Sequence, residues 1–161
     1  MAWANRRQQS GFSAWKMRER LWRYGPLVLW LVLIFYASTD SMSASNTSRF
    51  IGPALLLLFP DINENQLAFA HFMVRKCAHF AEYAVLALLA ARAFLTSSLN
   101  LLRQRWLALS FLLVTAYALL DEYHQTFASS RTGSIHDSFI DIAGGTAALM
   151  ALGFWHQYYR R

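Results

Sequence analysis

Three clusters of ionisable residues in this 161-residue chain could do chemistry. The first holds Arg75, Lys76, His79, Glu82 and Tyr83. Arg75, His79 and Glu82 stand at i, i+4 and i+7 and so share one helix face, with Lys76 and Tyr83 on the adjacent one. The second is Asp121-Glu122-Tyr123-His124-Gln125, in which Asp121, His124 and Gln125 share a face. The third comprises Arg131 and then Asp137 and Asp141, four apart and stacked on one face. Arginine and lysine suit phosphate or carboxylate oxygens. Histidine exchanges protons near neutral pH, and a carboxylate such as Glu82 or Asp121 can orient its ring. The catalytic candidates are therefore His79, Glu82, Asp121 and His124. The candidates for holding a substrate are Arg75, Lys76, Tyr83, Glu122, Gln125, Arg131, Asp137 and Asp141.

No cofactor is assigned. His79-x-x-Glu82 and Glu122-x-His124 offer imidazole and carboxylate ligands to a divalent cation, but their spacing matches no strong zinc signature. The single cysteine, Cys77, excludes an internal disulfide and a CxxC metal site. Gly-rich phosphate loops, a nucleophile elbow and triad spacings are absent. Taken together the clusters carry five carboxylates (Glu82, Asp121, Glu122, Asp137, Asp141) against three fixed cations (Arg75, Lys76, Arg131), a net charge of −2. Crowded carboxylates seldom all stay ionised, so protons, imidazolium rings or a divalent cation would complete the balance. Structural readings stand beside the functional ones. Ser134-Ile135-His136-Asp137 is a capping box that could simply start a helix. Arg75, Lys76, Asp121 and Glu122 could be ion pairs clamping helix ends. His71, His136 and His156 are assigned no part.

These clusters sit at the ends of long apolar stretches. Composition is 56% hydrophobic and only 15% charged, yet the formal net charge is +6. Soluble domains average roughly 25% charged residues, so this chain has too few polar groups to coat a small globule. That excludes a disordered chain and disfavours a nucleic-acid binder, whereas a membrane protein with basic edges fits. The expected fold is an all-α membrane protein: a four-transmembrane-helix bundle with spans near 24–40, 71–95, 106–124 and 137–157, preceded by a basic tail over 1–23. Trp106–Leu120 alone would run about 23 Å as a helix, and one more turn approaches the ~30 Å hydrocarbon core. The Ile51–Phe59 run is too short to span and contains Pro53; it reads as a short interfacial helix or a loop tucked against the bundle.

Basic residues orient the spans. Six (Arg6, Arg7, Lys16, Arg18, Arg20, Arg23) precede the first, and Arg103, Arg105, Arg160 and Arg161 flank the others on the same side, while the remaining loops carry Arg49 and Arg131. The positive-inside rule places both termini in the cytoplasm, with Trp22, Tyr24, Trp106, Trp155, Tyr158 and Tyr159 as an aromatic belt. A signal peptide would share the basic start and the small residues Ser38, Ser41 and Ser43, but the basic region is long for one. Arg92 is expected to snorkel to headgroups. Ala143, Ala147 and Ala151, with Gly144 and Ala148 beside them, read as a stripe for close helix packing. With this topology all three polar clusters meet at the extracytoplasmic end as a polar cup, because charges at the bilayer margin avoid lipid.

Arg75-Lys76-Cys77-Ala78-His79-Phe80-Ala81-Glu82-Tyr83, then Asp121-Glu122-Tyr123-His124-Gln125-Thr126-Phe127, then Arg131, Asp137, Asp141 and Gly144 together resemble the VanZ-like family. The similar region covers about residues 27–155. Its pattern does not require Glu82 or His124, whose parts rest on their chemistry alone. The family is named for a protein that raises resistance to the glycopeptide teicoplanin. The resemblance implies a small polytopic protein of the bacterial cytoplasmic membrane in a cell-envelope setting. The expected ligand is an anionic lipid or a lipid-linked cell-wall precursor. The residues leave open whether the cup is catalytic or only binds, and what the oligomeric state is. The alternative is a non-enzymatic structural or partner-docking protein whose polar cluster is an ion-pair clamp.

Overall fold

The computed structural model describes the backbone of residues 2–39, 44–126 and 135–159 and the side chains of residues 15–39, 49, 51–126 and 136–159. Among the described residues six helices follow one another: α1 (Ala2–Ala37), α2 (Ala44–Leu58), α3 (Glu64–Leu95), α4 (Asn100–Gln104), α5 (Trp106–Gln125) and α6 (Ile135–Tyr158). No strand occurs among the described residues. Three of them, α3, α5 and α6, are long and apolar enough to cross a membrane.

Local chemistry sets the boundaries. α3 begins at Glu64, seven residues before the apolar run, because Asn63 and Gln66 form a reciprocal capping box. Asn63 accepts from the Gln66 amide at 2.9 Å, and Gln66 accepts from the Asn63 amide at 3.1 Å. At 32 residues α3 is about 48 Å long, well beyond the hydrocarbon thickness of ~30 Å. α1 is continuous from Ala2 although it contains Pro26. A proline has no amide hydrogen, so the carbonyl four residues back, that of Trp22, loses its helical donor. Arg92 of α3 supplies a replacement, donating to the Trp22 carbonyl at 3.1 Å and approaching that of Arg23 at 3.5 Å. Arg92 thus serves the backbone of α1.

The crossings fix the directions of the helices. Trp30 of α1 donates to the Glu82 carbonyl, and Tyr24 bonds Ser97, so α1 and α3 are antiparallel. Ser138 meets the Ala118 carbonyl and Gly145 meets Val114, so α5 and α6 are also antiparallel. α3 and α6 run in parallel and share the most extensive contact. Their approach is closest at Gly144, where an added Cβ would fall 2.2 Å from the Phe80 carbonyl oxygen. At Gly145 a Cβ would fall 2.6 Å from Val114. The packing stripe is therefore Gly144, Gly145, Ala148 and Leu149, one position round from the expected alanines, of which Ala143 and Ala151 are exposed. The core beneath consists of small and medium residues, among them Leu86, Ala87, Ala90, Ala91, Val114 and Ala118. Large apolar side chains such as Leu29, Leu112, Phe139 and Phe154 point outward, as they do where lipid is the solvent.

Candidate functional site

The helix directions bring the C-terminal ends of α1 and α5, the middle of α3 and the start of α6 to one end of the bundle. Each of the three sequence clusters contributes to that end. At its rim, Lys76 forms an ion pair and hydrogen bond with Asp137. The Arg75 guanidinium stands 3.9 Å from the other Asp137 oxygen. The two cations differ in access: the Arg75 side chain is 43% exposed and that of Lys76 only 13%. Lys76 also lies over the Phe72 ring, 5.2 Å from its centroid.

One turn deeper, His79 Nδ1 stands 3.3 Å from an Asp141 carboxylate oxygen. Asp141 is fully buried, and neither of its oxygens receives an aligned hydrogen bond among the described residues. A buried carboxylate without donors is costly, and a partner cation is what offsets the loss of hydration. The carboxylates of Glu82, Asp121 and Asp141 all act electrostatically on His79, and the same three act on the buried Tyr83 hydroxyl. That hydroxyl has no hydrogen bond among the described residues either. Beside the Glu82 and Asp121 suggested by spacing, His79 thus has Asp141 of α6, 62 positions on in the sequence, as its contact.

On the neighbouring flank Asp121 is almost fully buried and well supplied with donors. Gln125 donates to one oxygen at 3.0 Å, and the Ser38 hydroxyl of α1 bonds the other. Ser38 also lies 3.0 Å from the Ile34 carbonyl. Its single hydroxyl proton is shared between these two acceptors. Sequence reasoning missed Ser38 as a site residue; the signal available was a small polar residue closing the first apolar run at the same end as the carboxylates. It also missed Tyr117, whose hydroxyl donates to the Leu31 carbonyl at 2.5 Å and ties α5 to α1. His124, on the same helix face as Asp121, also turns to α1 and packs on Phe35 with centroids 4.5 Å apart. Glu122 is buried. Glu82 is half-buried, and its backbone carbonyl accepts from Trp30. Arg131 and the Ser134 end of the expected capping box lie outside the described residues. Among the described residues no group of three or more His, Cys, Asp or Glu side chains is placed to hold a metal ion.

These features define a class: an all-helical membrane protein with its ionisable groups gathered at one end of the bundle. Within that class the chain belongs to the VanZ/LLP1 family, whose pattern matches residues 24–156. No curated protein and no solved structure matches the chain.

Proposed function

We propose that this VanZ-like membrane protein binds or acts on an anionic lipid or a lipid-linked cell-wall precursor at the polar end of its bundle. In this reading α1 is a fourth span from Tyr24 onward, preceded by the basic tail over 1–23, and α2 lies in the interface. The charge asymmetry puts both termini in the cytoplasm of a bacterial inner membrane and the polar end outside. Arg75, the exposed cation at the rim, meets phosphate oxygens, with Lys76 and Asp137 setting its position. His79 then moves a proton, held by Asp141 in the manner of a carboxylate-oriented general base. The observation that carries this reading is Asp141 itself: a fully buried carboxylate with no aligned donor, 3.3 Å from a histidine that retains access to the rim. Structural ion pairs are normally satisfied more completely than this one. A link to teicoplanin resistance would follow if the bound lipid is the precursor that glycopeptides recognise.

The Lys76–Asp137 pair, which joins α3 to α6, favours a second reading in which the rim is a clamp. Asp141→Asn separates the two. In a site it abolishes function and leaves the melting temperature equal or higher, because a buried charge is removed. If Asp141→Asn and Arg75→Ala proteins keep full teicoplanin phenotype and full retention of phosphatidylglycerol, the binding reading fails.

A further inference from the structure

A cavity of about 210 Å³ opens on the side of the bundle between α1 and α5. Its walls are Phe35, Tyr117, Leu120, Asp121, Tyr123 and His124. Phe35, Leu120 and Tyr123 are each about half exposed or more, so the mouth faces outward from the bundle, where a bilayer surrounds it. The space exceeds the ~150 Å³ that admits a benzene ring in an apolar cavity. A larger groove of about 440 Å³ lies between α5 and α6, but no charged side chain lines it. The smaller cavity differs in where it ends. Asp121 is both its floor and the acceptor of the Ser38 and Gln125 bonds at the polar end. His124 Nδ1 is buried and makes no hydrogen bond among the described residues.

We infer that this cavity is a lateral entry for a bilayer phospholipid, whose acyl chain lies between α1 and α5 with its headgroup toward the polar end of the bundle. The inference rests on the anionic-lipid reading above and adds the direction of entry. Hydrocarbon and ring surfaces take the chain without stripping polar groups of water. Among the described residues the buried His124 nitrogen is left free for a polar group of the lipid, and the Phe35–His124 ring pair lines the cavity, where a small ring displacement would widen it. A ligand arriving from water would need no such opening in the lipid-facing wall.

The test uses the full-length protein in phosphatidylcholine vesicles containing a minority of phosphatidylglycerol with a photoactivatable diazirine on its acyl chain. Labelled positions are mapped by peptide mass spectrometry. Phe35, Tyr117 and Leu120 should label several-fold more than Leu112 and Phe139, which are exposed elsewhere on the bundle. Leu120→Trp, which narrows the mouth, should bring the seam down to the level of Leu112. Equal labelling at the seam and at Leu112 in the unaltered protein means ordinary annular lipid and overturns lateral entry. If labelling is equal but phosphatidylglycerol is still retained over phosphatidylcholine in an Arg75-dependent way, entry fails and the anionic-lipid reading stands. Seam labelling identical with phosphatidylcholine and phosphatidylglycerol probes supports the portal and overturns headgroup selection. Loss of both overturns both.

Discussion

The two ends of the bundle hold their helices together by different means. At the polar end, side chains pair with side chains across helices: Lys76 with Asp137, His79 with Asp141, and Ser38 with Asp121. At the opposite end, neutral bonds and backbone acceptors serve. Tyr24 bonds Ser97 at 2.9 Å, Trp106 packs edge-on against His156 at 5.9 Å, and Arg92 donates to carbonyls of α1. Among the described residues, one end buries carboxylates, whereas the other buries no charged side chain. A bundle needs helix contacts at both ends, but neutral contacts suffice for that. The contrast between the two ends is testable.

The largest effect is expected directly below the polar end. Gly144→Leu would drive a side chain into the Phe80 backbone, which cannot yield as a flexible side chain would. The loss should be about 3 kcal/mol or more, read as a collapse of the melting temperature in detergent. Gly153→Leu, where nothing lies within 4 Å of an added Cβ, is the matched control and should melt normally.

Next is the rim. Lys76→Met should cost about 2 kcal/mol, less than for a fully buried pair because Asp137 retains Arg75 and partial solvent. Adding Asp137→Leu should recover most of that stability. Thermal melts of the single and double variants decide it; full recovery of stability together with loss of lipid retention assigns the rim to function, whereas unchanged retention assigns it to the clamp.

A smaller loss belongs to the neutral end. Arg92→Ala removes the donor for the carbonyl that Pro26 leaves open and should cost about 1 kcal/mol. In a Pro26→Ala background the helix supplies its own donor, and the same change should be nearly silent. A double-mutant cycle by chemical denaturation measures the coupling; equal losses in both backgrounds would refute the capping role. The smallest effect is Tyr24→Phe, which removes one partly buried bond to Ser97 and should lower stability by about 0.5–1 kcal/mol without altering lipid retention.

Much of this was legible from sequence. Apolar runs bounded by charges announced the helices, and period-3.6 spacing put Asp121 with Gln125 and Asp137 with Asp141 on common faces. The alternation of basic flanks implied that the three clusters share an end, and the helix directions place them there. Less was legible about partners. Asp121 and His124 both face α1, where Asp121 finds Ser38 and His124 finds Phe35, a choice of partner set by the interhelical gap and not by the spacing on α5. Ser38 carried no motif at all, and nothing in sequence links Arg92 to Pro26, sixty-six positions away.

By itself, then, the sequence determined the helices, their amphipathic faces and the membrane setting, since these follow from local periodicity and from the cost of exposing polar groups to lipid. Only the tertiary structure decided who pairs with whom. His79 takes Asp141 and Lys76 takes Asp137 because Gly144 lets α3 and α6 approach in parallel at one register. That register is set by backbone sterics at a residue without a side chain, and it fixes which carboxylate faces which partner.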